Sequence, residues 1–338
     1  MMIRVALLSR WHVHADDYAR EASKNPSIAI TVVWDEDPAR GKRWADELGV
    51  DFENSLEYTL AREDVDAVIV DTPTAMHKEV ILAAAKAKKH IFSEKVLALT
   101  EEDVEDIFTS VDEHNVSLML SLPRLNDPTY LYAEQALQEG LLGELTSIRC
   151  RLEHGGALPT ESHPNGWLPS HFFNKEQCGG GALIDLGAHP IYLTNRFGGD
   201  AVSLYADMAS YTDKPVDDHA TVIVRYASGA TATIEAGFIA SKSPFILELH
   251  GTDGTILVEE RSLRIQSTHL DESGWITPEL PEQAPSAMSQ WVAHIENGEE
   301  PRITREDMRL LTRINEAAIQ SSEAGKRIEL GNKKHTTV

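Results

Sequence analysis

Cysteine is scarce here: two residues, Cys150 and Cys178, lie far apart and outside any CxxC spacing. That rules out a dense disulfide framework and suits a reducing compartment. No apolar run approaches membrane-spanning length. The opening MMIRVALLSRWH meets charge at once and has neither a basic n-region nor a small-residue cleavage site, so the expectation is a soluble, cytoplasmic protein. Basic residues are few, 31 against 54 acidic, for a formal net charge of −23. A field of that sign repels phosphate backbones and anionic lipid, so neither nucleic acid nor a membrane is an expected partner. Internal repeats and low-complexity segments are also lacking.

What is present is a change of grammar partway along the chain. With 338 residues and 42% hydrophobic content, the protein can bury a sizeable core, and its length suggests two domains. IRVALL (3–8), ITVVW (30–34), DAVIV (66–70), HIFS (90–93) and VSLML (116–120) read as strands buried on both faces, with helical patterns between them. In DPARGKRWADELG, Asp37 reads as an N-cap, Pro38 as the first helical residue and Gly49 as the stop; Thr100 caps the helix before the fifth strand. This alternation predicts a doubly wound parallel sheet over residues 1–121.

After Pro123, one helix (128–139) leads into a series of strand-like runs, with turn signals at Ser228–Gly229 and Asp253–Gly254. The expectation for 122–338 is α+β, built on a large, mostly antiparallel sheet. Helical patterns at 286–297 and 304–324 close the chain, and the C-terminal helix is a candidate to pack back on the first domain.

In open α/β sheets, ligands sit beyond the carboxyl ends of the strands. Asp35, directly after the second strand, suits ribose hydroxyls and repels a 2′-phosphate, which favours NAD(H) over NADP(H); it reads equally well as a helix cap. DTPTAMH (71–77) places Thr72, Pro73, Thr74 and His77 at the next such end, and SEKV (93–96) places Glu94 and Lys95 at the one after. Further on, CGGGALIDLGAHPIYL (178–193) puts three glycines before an apolar helical segment. That permits close backbone approach and a helix start with free N–H groups. Asp185 and His189, four apart, would share a helix face near Tyr192, an arrangement suited to acid–base work and equally to a structural pair. Pro190 predicts a bend.

TPTAMH, SEKVLALT, GGGALIDLGAHPIY, DDHATVIVRYASGATATIE, LHGTDGTILVE and GKRIEL follow the order and spacing of the Gfo/Idh/MocA oxidoreductases, and the chain resembles that family over its full length. The resemblance implies an N-terminal Rossmann domain, a C-terminal sheet through which a homodimer or homotetramer forms, and NAD(P)-dependent hydride transfer on a sugar, cyclitol or related polyol. Lys95 then matches the lysine of a Glu-Lys-Pro motif, and Asp185 and His189 match Asp-x-Gly-x-His. His189 or Lys95 would move the hydroxyl proton, Lys95 would stabilise charge on the oxygen, and Asp185 would bind a neighbouring hydroxyl.

Three positions depart from that pattern. The glycine-rich phosphate loop is replaced by SRWHVH, a shorter stretch in which Ser9, Arg10, Trp11 and His12 become the cofactor candidates. Arg10 would pair with the pyrophosphate, and Trp11 and His12 would flank the nicotinamide or the substrate. Val96 stands in place of proline, and Tyr192 in place of an aspartate. Arg124, Trp167 and Tyr192 are the substrate candidates, with His171, Phe172 and Phe173 in a long segment (154–178) expected to fold over the site. Two other readings stand beside this one. One is a non-catalytic nucleotide or sugar sensor of the same fold. The other is a metal-dependent enzyme using His12 and His14 with His77 or His189, for which no companion ligand spacing is evident, so no metal is assigned.

Overall fold

The computed structural model describes residues 2–331, so the end of the expected second domain lies outside that range. Among the described residues two compact units are present: 2–123 with Pro285–Thr312, and Arg124–Ala284 with 313–331. Sequence reading places one boundary at 121; here the first unit ends at Pro123 and takes back a later segment.

The first unit runs β1 (Ile3–Leu8), α1 (Ala15–Lys24), β2 (Ile28–Trp34), α2 (Pro38–Leu48), β3 (Asp51–Phe52), α3 (Leu56–Ala61), β4 (Ala67–Val70), α4 (His77–Lys86), β5 (His90–Ser93), α5 (Glu101–His114) and β6 (Leu118–Leu120). The strands pair in parallel in the order β3-β2-β1-β4-β5-β6, the doubly wound arrangement. All four residues of β4 are fully buried, as a strand covered by helices on both faces must be. The caps form where expected. Asp37 accepts from the Ala39 and Arg40 N–H groups, Gly49 closes α2 at φ +70°, and Thr100 accepts from the Asp103 N–H. The segment β3–α3 carries too short a pattern to be read in advance.

The second unit contains α6 (Pro128–Gln138), β7 (Leu145–Glu153), α7 (Lys175–Cys178), α8 (Ala182–Asp185), α9 (Ala188–Gly198), β8 (Ala201–Ala209), β9 (His219–Tyr226), β10 (Thr231–Gly237), β11 (Ile246–Gly251), β12 (Gly254–Glu259) and β13 (Ser262–Ser267). After α10 (Ala287–Asn297), which belongs to the first unit, come α11 (Arg305–Ala324) and β14 (Ile328–Glu329). The eight-stranded sheet has the order β13-β12-β11-β7-β10-β9-β8-β14 and is antiparallel except between β7 and β10. Its strands alternate buried and exposed residues, the mark of a sheet packed on one face. Helix α9 packs on β7 and β10. No described helix is long and apolar enough to cross a membrane.

The segment 178–193 differs from its sequence reading. It is not one bent helix: α8 ends at Asp185 and α9 begins at Ala188, with the break at Leu186–Gly187 rather than at Pro190. Pro190 lies in the first turn of α9, where its missing N–H costs nothing. Gly187 permits the break, because a Cβ there would stand 2.4 Å from the Leu183 carbonyl oxygen. Asp185 and His189 therefore lie on different helices. The glycines serve a contact within the unit. The Gly181 and Leu183 N–H groups donate to the Asp217 carboxylate, each at 2.8 Å, and Ala182 N–H donates to the Asp217 carbonyl. A Cβ on Gly181 would fall 1.9 Å from that carbonyl oxygen. The helix start expected to offer free N–H groups is thus filled by Asp217.

Candidate functional site

The candidate residues of the first unit gather beyond the carboxyl ends of its strands. After β1 the chain turns at Ser9, whose φ of +78° is the left-handed conformation that glycine normally supplies in such a loop. The backbone N–H groups of the loop are taken up internally. Ser9 donates to the Trp34 carbonyl, Arg10 to Asp35 Oδ2, Trp11 to Ser9 Oγ, His12 to the Asp71 carbonyl and His14 to His12 Nδ1. A glycine-rich cradle would direct such groups at a pyrophosphate. The Arg10 guanidinium is held by Asp16 at 2.9 Å and Glu47 at 2.7 Å, and Trp11 is buried.

At the end of β2, the side chain of Asp35 is fully buried and its acceptors are heavily used. It receives the Arg10 and Asp37 N–H groups and forms a two-point pair with Arg40, at 2.9 and 2.7 Å. The same guanidinium reaches Glu36 Oε1 and Ser9 Oγ, while Glu36 Oε2 is buried without a hydrogen-bond partner. The residue after β2 is thus a carboxylate, as read, but it is held by an arginine that sequence reasoning did not connect to it.

The ends of β4 and β5 bring together groups that sequence reading kept apart. His12, Asp71 and Glu94 are all buried, and one ligand atom from each lies within 4.8 Å of the others. His12 Nε2 stands 3.9 Å and Lys95 Nζ 3.7 Å from Glu94 Oε1. The Tyr18 hydroxyl, fully buried, contacts Glu94 Oε2 and Ser121 Oγ. Both oxygens of Asp71 lack a hydrogen-bond partner, as does the neighbouring Thr72 Oγ1. Burial, with the Glu94 charge behind it, pushes the Asp71 carboxyl well above its ordinary range. Burial acts the same way on Glu94, but His12 and Lys95 outweigh it and hold that carboxyl below its usual value. The Lys95–Val96 peptide is cis. His77 is fully buried, with Nδ1 2.7 Å from the Val96 carbonyl oxygen and Nε2 3.1 Å from that of Thr72; it secures the two loops to each other. Pro73 and Thr74 lead into a short 3-10 turn before α4.

In the second unit, His189 lies at the start of α9 and one turn ahead of Tyr192. The Tyr192 hydroxyl, buried, is 2.8 Å from His189 Nδ1 and accepts the Arg124 backbone N–H at 3.2 Å. Burial pushes the phenol pKa upward. The Arg124 guanidinium sits 4.2 Å over the Phe245 ring. Sequence reasoning missed His154, which stacks on Phe238 with ring centres 5.2 Å apart and has the exposed Trp167 ring 4.7 Å away. Burial lowers the His154 pKa, and the charge of Asp185 opposes that shift, so the two belong to one electrostatic neighbourhood. Phe172 and Phe173 are core residues; Phe173 meets Phe238 edge-on. The alternation of β7 carries no signal that would have singled out His154, which follows its last residue.

Two family models match the chain: the NAD-binding Rossmann fold of an oxidoreductase family over residues 9–122, and the GFO/IDH/MocA C-terminal domain over residues 130–257. The levoglucosan dehydrogenase of Pseudarthrobacter phenanthrenivorans is 28% identical over 67% of this chain and 65% of its own. The 1,5-anhydro-D-fructose reductase of Ensifer adhaerens is 30% identical over 64% of each. The matched region therefore spans slightly less than two thirds of those relatives' length. A solved levoglucosan dehydrogenase bound to NADH and levoglucosan superposes with a TM-score of 0.82 over 98% of this chain and 100% of that one, at 21% identity, which supports the fold. With both halves matched, and with a doubly wound parallel sheet and a mostly antiparallel sheet in the same order, the chain belongs to the Gfo/Idh/MocA family of oxidoreductases.

Proposed function

We propose that this protein is an NAD(H)-dependent dehydrogenase or reductase acting on a hydroxyl/carbonyl pair of a sugar, cyclitol or related polyol. The observation that carries this reading is the His189–Tyr192–Arg124 network. The Tyr192 contact fixes the ring, and in the tautomer whose Nδ1–H donates to the hydroxyl, Nε2 is the proton acceptor. Relatives named for dehydrogenation or reduction of sugars support the substrate class. The carboxylates at the end of β2 and the unpartnered Thr72 hydroxyl suit the hydroxyl-bearing parts of a dinucleotide. Asp35, Glu36, Thr72 and Thr74 would hold it, with Ser9, Arg10, Trp11 and Pro73 alongside. When bound, the cofactor accepts or supplies hydride at its nicotinamide ring.

His189 takes the hydroxyl proton during oxidation and returns it during reduction. Lys95 is the cation assigned to the charge that develops on the reacting oxygen, and Asp185 binds an adjacent hydroxyl. Asp35 and Glu36 together outweigh Arg40 in charge, which disfavours a 2′-phosphate and supports NAD(H) over NADP(H). The exposed pair Tyr205 and Ile223, opposite each other on β8 and β9, supports assembly of a homodimer or homotetramer through the eight-stranded sheet. The scarcity of cysteine supports a cytoplasmic location.

Calorimetric titration with NADH and with NADPH, followed by a polyol and sugar screen, tests the reading. NADH should bind more tightly, and turnover should fall at least about a hundredfold in Lys95→Ala and in His189→Ala. A folded protein that binds neither nucleotide would overturn the dehydrogenase in favour of a sensor.

A further inference from the structure

We propose that His12, Asp71 and Glu94 form a binding site for a divalent first-row transition-metal cation in the first unit. The three side chains come from the loop after β1, the end of β4 and the end of β5, and β1 and β4 flank the point where the strand order reverses. One atom from each lies within 4.8 Å of the other two, and all three residues are buried.

The strongest sign of a missing partner is Asp71. Its side chain is fully buried, and neither oxygen has a hydrogen-bond partner. A buried carboxyl without a donor or counter-charge is driven toward its neutral form, and a bound cation would instead hold it ionised. Two carboxylates meet a single buried ammonium, that of Lys95, which lies beside Glu94. Asp71 is therefore the carboxyl that no neighbouring group satisfies, and a cation held between the three side chains would supply its partner.

Donor type narrows the choice. One imidazole nitrogen with two carboxylate oxygens suits Zn2+, Mn2+ or Fe2+, whereas Mg2+ and Ca2+ favour oxygen alone. Neighbouring residues already orient the ligands. The Tyr18 hydroxyl holds Glu94 Oε2, which leaves Oε1 on the side of His12 Nε2. The chain also threads His12 toward Asp71 through its N–H bond to the Asp71 carbonyl. Coordination through Nε2 would move the ring proton to Nδ1 at the expense of the 3.3 Å contact from the His14 N–H. The site accounts for a loop that has a histidine where glycines would stand.

The test uses the full-length protein, stripped with EDTA and dialysed, without nucleotide. ZnCl2 is titrated calorimetrically, and MnCl2 is titrated by the electron paramagnetic resonance of the free ion. The expected result is saturable uptake of one ion per chain, weakened at least about tenfold in Asp71→Asn and in Glu94→Gln. In EDTA, Asp71→Asn should melt at the same temperature as the parent or higher, because the Asp71 oxygens have no hydrogen bond to lose. Added metal should raise the melting temperature of the parent but not of the variant. Uptake that the two carboxylate variants leave unchanged would assign binding to surface groups and overturn the proposal. So would the absence of one-to-one uptake by the parent, however the variants behave.

Discussion

The Tyr192 hydroxyl stands 2.8 Å from His189 Nδ1 and is itself fixed by the Arg124 backbone N–H. An aromatic alcohol is thus the group that meets the ring at Nδ1. Unlike a carboxylate it is neutral, and burial keeps it so. Tyr192→Phe keeps the ring and removes the oxygen. The expected outcome is a loss of roughly tenfold or more in kcat with a smaller change in KM, and a shift of the pH–rate limb that reports the proton acceptor. A purely structural role would lower stability but leave that limb in place.

The pair Asp35–Arg40 sets a second expectation. Arg40 is spent on Asp35 through two hydrogen bonds and on Glu36 through a third. Asp35→Ser removes the main partner of the guanidinium and one negative charge, which releases Arg40 for a 2′-phosphate. The ratio of NADPH to NADH affinity, measured calorimetrically, should rise by about tenfold or more. An unchanged ratio would show that the end of β2 does not read the cofactor.

Gly181 meets the Asp217 backbone so closely that a methyl group has no room, and its N–H is one of two held by the Asp217 carboxylate. Gly181→Ala should therefore cost about 2–4 kcal/mol in chemical denaturation or prevent soluble expression. Asp217→Asn, which keeps the shape but loses one acceptor, should cost about 1–2 kcal/mol. Equal stability of Gly181→Ala and the parent would contradict the close approach.

What the sequence made legible follows the range of the forces involved. The β-branched runs 3–8 and 90–93, the caps Asp37 and Thr100 and the turn at Ser228–Gly229 are local, and each forms where its pattern predicts. The two-residue β3 carries no periodicity to read. The three glycines signalled a close approach, but their partner, Asp217, lies 36 residues beyond Gly181 and only sheet topology brings it there. Asp71 and Glu94 could be placed at strand ends, but their meeting with His12 depends on the order in which β1, β4 and β5 pair. Four-residue spacing suggested one helix for Asp185 and His189; the chain breaks between α8 and α9 at Leu186–Gly187, where only a residue without a Cβ fits against the Leu183 carbonyl.

His77 joins two loops of the first unit, and its burial has a consequence for acid stability. Burial lowers its pKa from 6.5 to about 4, against the Val96 and Thr72 carbonyls, which favour the cation. In the unfolded chain the ring takes a proton as pH falls through 6.5; in the folded chain it resists until about 4. Between those values the unfolded state binds more protons, so stability rises with pH across the window and is lost as pH falls through it. The total from this one ring is about 3 kcal/mol, lost progressively as pH drops and complete below the folded value. His77→Gln retains a side chain that can hydrogen-bond without titrating. The variant should be less stable near neutrality but show a flatter fall between pH 6.5 and 4 in urea denaturation. Parallel curves for parent and variant would mean that His77 titrates alike in both states, and that the acid loss belongs to other groups.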